Sequence, residues 1–199
     1  MLCRGESVFR KSFGLSLCSG VSTTPGATVL ARICPFREMV TPMSAQAGAE
    51  QRLRELDIAL PPPPTPFGAY VETVKMGNLL FLSGMLPVVG REPQYVGRVG
   101  GALSAEDGRK AAEIACLSAL SAAKTHLGSL DKITGVAKLG VYIATEGDFR
   151  DHPKVADGAS ELLVKVFGAG MLSSRIVLGV ASLPLGMPIE IELVFEIAA

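Results

Sequence analysis

The chain has 199 residues, 48% hydrophobic and 19% charged, with nineteen basic and nineteen acidic side chains and a formal net charge of +0. This length suits one domain with one sizeable core, and this apolar content excludes a disordered chain. Balanced charge provides no global field toward nucleic acid or anionic lipid. No apolar stretch approaches the roughly 18 residues of a membrane span, so a soluble protein with a small neutral or anionic ligand, and no membrane partner, is expected.

Residues 1–42 hold five of the basic and two of the acidic residues, are rich in Ser, Thr, Gly and Arg, and show no sustained period. They read as a flexible leader outside the core. An upstream translation start, with the native start near Met39 or Met43, is favoured over an organelle transit peptide, which would direct import. Three of the four cysteines, Cys3, Cys18 and Cys34, lie in this leader at spacings that fit neither zinc pairs nor a compact disulfide framework. Cytoplasmic location is therefore expected. Residues 43–60 form a short extension with a polar helix candidate at Glu50–Leu56, and the domain proper opens at Pro61, where Pro61 to Pro64 and Pro66 impose extended backbone.

Val71–Lys75 and Leu79–Leu82 flank Met76-Gly77-Asn78 and predict a hairpin, since Gly and Asn tolerate the positive φ of a tight turn. The Gly97–Gly101 loop lacks the Lys-Ser/Thr of a phosphate cradle and reads as a plain flexible loop. Ser104 with Asp107 makes a capping-box start for a helix that carries an apolar face through Cys116 and ends near Gly128. Cys116, flanked by Ala115 and Leu117, reads as a small buried hydrophobe. Alternation predicts a strand over Gly135–Thr145, and a second helix spans His152–Phe167 and stops at Gly168. Ile176–Val180 and Ile189–Ile197 are closing strands. In the latter, Glu190, Glu192, Val194 and Glu196 share one face and the apolar residues the other.

Strand, strand, helix, strand, helix, strand, strand predicts an α+β fold with both helices on one face of a mixed sheet. A half-covered sheet invites association, so an oligomer is expected. Taken alone, Arg175 would be an ion-paired surface arginine, and Glu192 and Glu196 the wet side of a strand. His126 and His152 sit near helix ends, and Asp148, Asp151 and Asp157 suit helix capping better than a metal cluster.

From about Pro61 to the C-terminus the chain resembles the Rid family of reactive imine and enamine deaminases, also called endoribonuclease L-PSP. The resemblance is carried by Gly68-Ala69-Tyr70, by Gly77-Asn78 leading to Ser83-Gly84-Met85-Leu86-Pro87, and by Ser174-Arg175 followed by Val180, Leu183-Pro184 and Ile189-Glu190-Ile191-Glu192. It implies a chorismate-mutase-like fold, a homotrimer with a barrel-like core, three intersubunit clefts, and neither cofactor nor metal. Arg175 would hold the carboxylate of a small 2-imino or 2-enamino acid in a bidentate grip. Glu190 would position or activate the water that releases ammonia and leaves a 2-keto acid. The Ser83 hydroxyl and the Gly84 N–H would donate to the ligand, Tyr70 would wall the cleft, and Val177 and Asp157 would complete it.

Several positions depart from the family pattern. Ala69 stands for proline, Met85 for glutamine, Val177 for a frequent cysteine, and Asp157 for an asparagine. An acid at Asp157 is unfavourable beside a bound carboxylate unless it is protonated or paired with a cation, which disfavours the usual small imino acids. The alternative function is therefore a non-enzymatic module that binds small carboxylates or another protein. Ribonuclease action ranks below both, given the neutral charge and the absence of paired catalytic histidines.

Overall fold

The computed structural model describes residues 48–199; the expectations for the leader and its three cysteines lie outside the described residues. The elements are α1 (Ala49–Glu55), β1 (Thr73–Met76), β2 (Leu79–Leu82), β3 (Val88–Val89), β4 (Glu92–Pro93), α2 (Ala105–Leu127), β5 (Ile133–Ala144), α3 (His152–Phe167), β6 (Ser174–Val180) and β7 (Ile189–Ile197), with three short 3-10 turns. The predicted elements are all present within a few residues. The small β3–β4 hairpin is an addition, hidden in the sequence by its length and by Pro93.

Five strands form one mixed sheet in the order β1-β2-β7-β5-β6. All pairings are antiparallel except β5 with β6, whose crossover is α3. In the β1–β2 turn Gly77 alone has positive φ, 62°, with Met76 opposite Leu79. Asn78 keeps a negative φ, as in a type II′ hairpin turn. On one sheet face Leu80, Leu139, Val141, Ile143, Ile191, Leu193 and Phe195 are fully buried against α2 and α3. The helices thus cover a single face, as expected.

Helix α2 begins with the capping box foreseen at Ser104 and Asp107 and ends at Gly128, whose φ is 81°. Its buried hydroxyls serve the loops beside it: Ser121 donates to the Pro61 carbonyl at 2.7 Å and Ser118 to that of Val88 at 3.3 Å. Cys116 is fully buried, as expected, and burial pushes its thiol pKa well up, so it is an inert hydrophobe rather than a thiolate.

Helix α1 packs onto the domain: Ala49 and Leu53 enter the main core. Glu50 also bonds Lys124 at 2.7 Å and the Leu130 N–H at 3.1 Å. The Gly97–Gly101 segment is a loop, but a pinned one: Val99 is fully buried, its N–H donates to Ala144 and its carbonyl accepts from Glu146.

Among the described residues no helix covers the other sheet face. There Val74, Met76, Phe81, Ile176 and Leu178 are exposed beside Glu192, Lys138 and Tyr142. Both Lys138 and the Tyr142 hydroxyl bond the Glu192 carboxylate. The Lys138 bond holds the Glu192 pKa below its ordinary value. No helix among the described residues is long and apolar enough to cross a membrane.

Candidate functional site

Strand β2 ends at Leu82, and Ser83 and Gly84 then turn the chain so that Met85 pairs with Ile191 of β7, with N···O distances of 2.7 and 2.9 Å. Ser83-Gly84 is thereby laid against the start of β7, where Glu190 projects. A Cβ on Gly84 would fall 1.9 Å from Glu190 Oε1, so the carboxyl rests directly on the glycine backbone. Hydrogen alone fits at this position. Among the described residues the Gly84 N–H has no main-chain acceptor, which leaves it able to donate to a ligand.

Glu190, Ser83, Gly84 and Tyr70 line one pocket of about 450 Å³, together with Phe67, Gly68, Leu86, Pro184 and Leu185. Burial pushes the Glu190 carboxyl above its ordinary range, because its charged form loses hydration. A carboxyl so placed exchanges a proton nearer neutrality than an exposed glutamate does. Tyr70 folds back over the Phe67–Tyr70 turn, where its hydroxyl accepts the Phe67 N–H at 3.1 Å and keeps its own proton to donate. Ser83 departs from expectation: its hydroxyl donates to the Val71 carbonyl at 2.7 Å. The proton is committed, and Ser83 offers the pocket an acceptor oxygen rather than a donor. Met85 is buried and serves the core.

Arg175 lies elsewhere. On β6 it pairs in register with Leu139, which in turn opposes Leu193, and that row faces the helices. Glu190 opposes Tyr142, which pairs with Leu178, and that row faces the open side. The two residues therefore project from opposite faces of one sheet, and a single chain does not bring them together. Arg175 lines a second pocket, of about 330 Å³, with Asp157, Ser160, Leu163, Val164, Met171, Leu172 and Ser173. Its Nη1 donates to Asp157 Oδ1 at 2.7 Å and to Ser160 Oγ at 2.9 Å. Asp157 is thus paired with a cation, one of the two conditions under which an acid is tolerable there. Val177 is partly buried and packs against the core.

The remaining acids have partners of their own. Asp148 bonds Arg150, and Asp151 bonds Lys154 at 3.1 Å. The capping reading fails at Asp151, which holds the N-cap position of α3 without a side-chain cap bond. His126 Nδ1 lies 2.9 Å from Thr73 Oγ1, and His152 meets Phe149 edge to face.

Sequence reasoning missed several contributors. Ser160 could have been found, because it stands three residues after Asp157 and so shares its helix face. Phe67 and Pro184 border the motifs already quoted. Leu185 gave no signal: it adopts φ 57°, a left-handed conformation costly for leucine, while half exposed on the pocket wall. Arg91, in the turn between β3 and β4, stacks 5.1 Å from the Phe67 ring centroid at the same pocket.

Comparison with known proteins agrees with this architecture. Residues 50–197 match the family described as "YjgF/chorismate_mutase-like, putative endoribonuclease". Protein TCP17 of Trypanosoma cruzi is 34% identical over 146 residues, which cover 73% of this chain and 91% of that protein. The crystal structure of Atu1372 from Agrobacterium tumefaciens, a protein of unknown function, is 34% identical with a TM-score of 0.69, covering 76% of this chain and 92% of that one. A crystal structure from Shewanella oneidensis MR-1 is 28% identical with a TM-score of 0.72, covering 75% and 99% respectively. The match runs through nearly every described element, and the protein belongs to the YjgF/chorismate mutase-like family, whose motifs its sequence carries.

Proposed function

We propose that the protein hydrolytically deaminates small reactive 2-imino and 2-enamino acids, at clefts where the Arg175 pocket of one copy meets the Glu190 pocket of its neighbour in a homotrimer. The observation that carries this reading is Glu190, a partly buried carboxyl with a raised pKa, seated on Gly84 in a largely apolar pocket. Its opposition to Arg175 across the sheet supports completion of the site by a second copy. The exposed Val74, Met76, Phe81, Ile176 and Leu178 supply an apolar face for that association.

In this scheme Arg175 holds the carboxylate and aligns the imine carbon. A water oxygen adds to that carbon while Glu190 takes the water proton and returns it to nitrogen. The remaining hydroxyl proton then passes to nitrogen as the C–N bond breaks, ammonia leaves and a carbonyl remains, so that imino acid plus water becomes 2-keto acid plus ammonia. The Gly84 N–H and the Tyr70 phenol are placed to donate as charge develops.

The test generates 2-imino acids in situ with an amino-acid oxidase and follows keto-acid or ammonia release by the full chain. Arg175→Ala should lower kcat/KM by about thirtyfold or more, the loss of roughly 2 kcal/mol for a charge-assisted bidentate anchor. Equal rates for the variant and the native protein would exclude the scheme. Carboxylate binding without turnover is the second reading, favoured by the Asp157 partner of Arg175 and the committed Ser83 proton. Tight 2-keto acid binding with no ammonia release would establish it.

A further inference from the structure

A guanidinium carries five N–H donors, and two of its edges can grip a carboxylate with parallel bonds. In Arg175 the two donors of Nη1 are used, one on Asp157 Oδ1 at 2.7 Å and one on Ser160 Oγ at 2.9 Å. Among the described residues the Nε and Nη2 donors have no partner, and together they form the other edge. Asp157 has a second oxygen, Oδ2, with no partner among the described residues, and its side chain is 43% exposed against 28% for Arg175. The surrounding wall of Leu163, Val164, Met171 and Leu172 adds no charge.

A simple anion arriving at the free Arg175 edge meets a receptor of net charge zero, with a carboxylate beside its own. Like charges a few ångströms apart disfavour such a complex. A ligand with a cation on the carbon next to its carboxylate reverses the sign of that contact, because the cation can donate to Oδ2 while the acid end takes the Nε/Nη2 edge.

We propose that Arg175 and Asp157 together form a zwitterion receptor, Arg175 taking the carboxylate and Asp157 the adjacent ammonium or iminium nitrogen. This rests on the carboxylate-anchor role given to Arg175 above and narrows its ligand class. The imino acid is then held as its iminium, the form more electrophilic toward water. Hydrolysis of R–C(=NH2+)–COO− by water yields R–CO–COO− and NH4+, with atoms and charge balanced. The keto acid has lost the cation, so Asp157 favours its departure and separates reactant from product.

Isothermal titration calorimetry of the full chain with three probes of similar size tests the inference: L-alanine as the zwitterion, L-lactate and pyruvate as the anions. The native protein should bind alanine about tenfold or more tightly than lactate, and Asp157→Asn should invert that order by weakening alanine and strengthening both anions. The readout is a ratio within one sample, so partial loss of folded variant cancels. A native preference for lactate or pyruvate, an alanine-to-lactate ratio unchanged in Asp157→Asn, or no alanine binding up to tens of millimolar overturns the receptor. If Arg175→Ala abolishes binding of every probe while the ratio ignores Asp157, the anchor stands and the zwitterion receptor alone falls. If Arg175→Ala binds all probes as the native protein does, the anchor falls as well.

Discussion

The contact between Glu190 and Gly84 permits a sharp prediction. In Gly84→Ala the added carbon would lie 1.9 Å from Oε1, 2.8 Å from Cδ and 3.2 Å from Cγ of Glu190, whereas ordinary contact begins at 3.4 Å. The carboxyl must therefore retreat by about 1.5 Å, because the strand beneath it is held by the Met85–Ile191 pair and yields less readily than a side-chain end. A displacement of about 1 Å in a reacting group costs about a hundredfold in rate, so kcat for imino-acid hydrolysis should fall about a hundredfold. Rotating a flexible side chain off its preferred geometry costs about 1 kcal/mol, which lowers Tm by about 2–4 °C for a domain of this size. Coupled-oxidase kinetics and a thermal melt on the same preparation read both effects. In a Glu190→Gln background the alanine should add little further loss of rate, since the group it displaces no longer transfers a proton. A Gly84→Ala protein with native kcat, or equal losses in both backgrounds, would refute the reasoning.

Two carboxyls should shift stability with pH in opposite senses. Burial raises Glu190, so the folded state holds this proton more tightly than the unfolded chain. Native protein should therefore lose stability relative to Glu190→Gln as pH rises through the ordinary value of 4.5 and then the higher folded value, read as urea midpoints across that range. For Glu50 burial again works upward, but the Lys124 ammonium and the Leu130 N–H outweigh it and the net direction is down. Glu50→Gln should cost about 1–2 kcal/mol at neutral pH, and the gap should close as pH falls through the depressed folded value. Phe195→Ala removes a fully buried ring that packs 5.9 Å from Phe167. It should lower the unfolding free energy by about 3–5 kcal/mol in denaturant titration. Ile176→Asp with Leu178→Asp charges the open sheet face and should convert a trimer to folded monomers in sedimentation, with loss of activity; a native protein that sediments as a monomer would contradict the assembly.

Much of the fold was legible because local chemistry and tertiary packing agree. Capping at Ser104, the stop at Gly128, the strict alternation of Ile189–Ile197 and the Gly77-Asn78 turn each rest on periods and dihedral preferences within a few residues. The motifs around Ser83-Gly84, Arg175 and Glu190 name residues that line two separate pockets, where the sequence had pointed to one cleft. What a sequence cannot contain is register: whether Arg175 and Glu190 converge depends on which residues they oppose on β5, and the pairings with Leu139 and Tyr142 send them to opposite faces. The same holds for Asp157, whose acid looks misplaced until α3 brings it to 2.7 Å from Arg175, and for Ser83, whose proton is claimed by the Val71 carbonyl. Leu53 reads as part of a polar extension because the helix it packs beside lies far along the chain, and Val99 as part of a flexible loop because its partners, Ala144 and Glu146, also lie far along it. Residue types and spacing thus determined the elements and the candidate chemistry, while contacts between distant segments decided which groups share a pocket, which protons remain free and which charges are already matched.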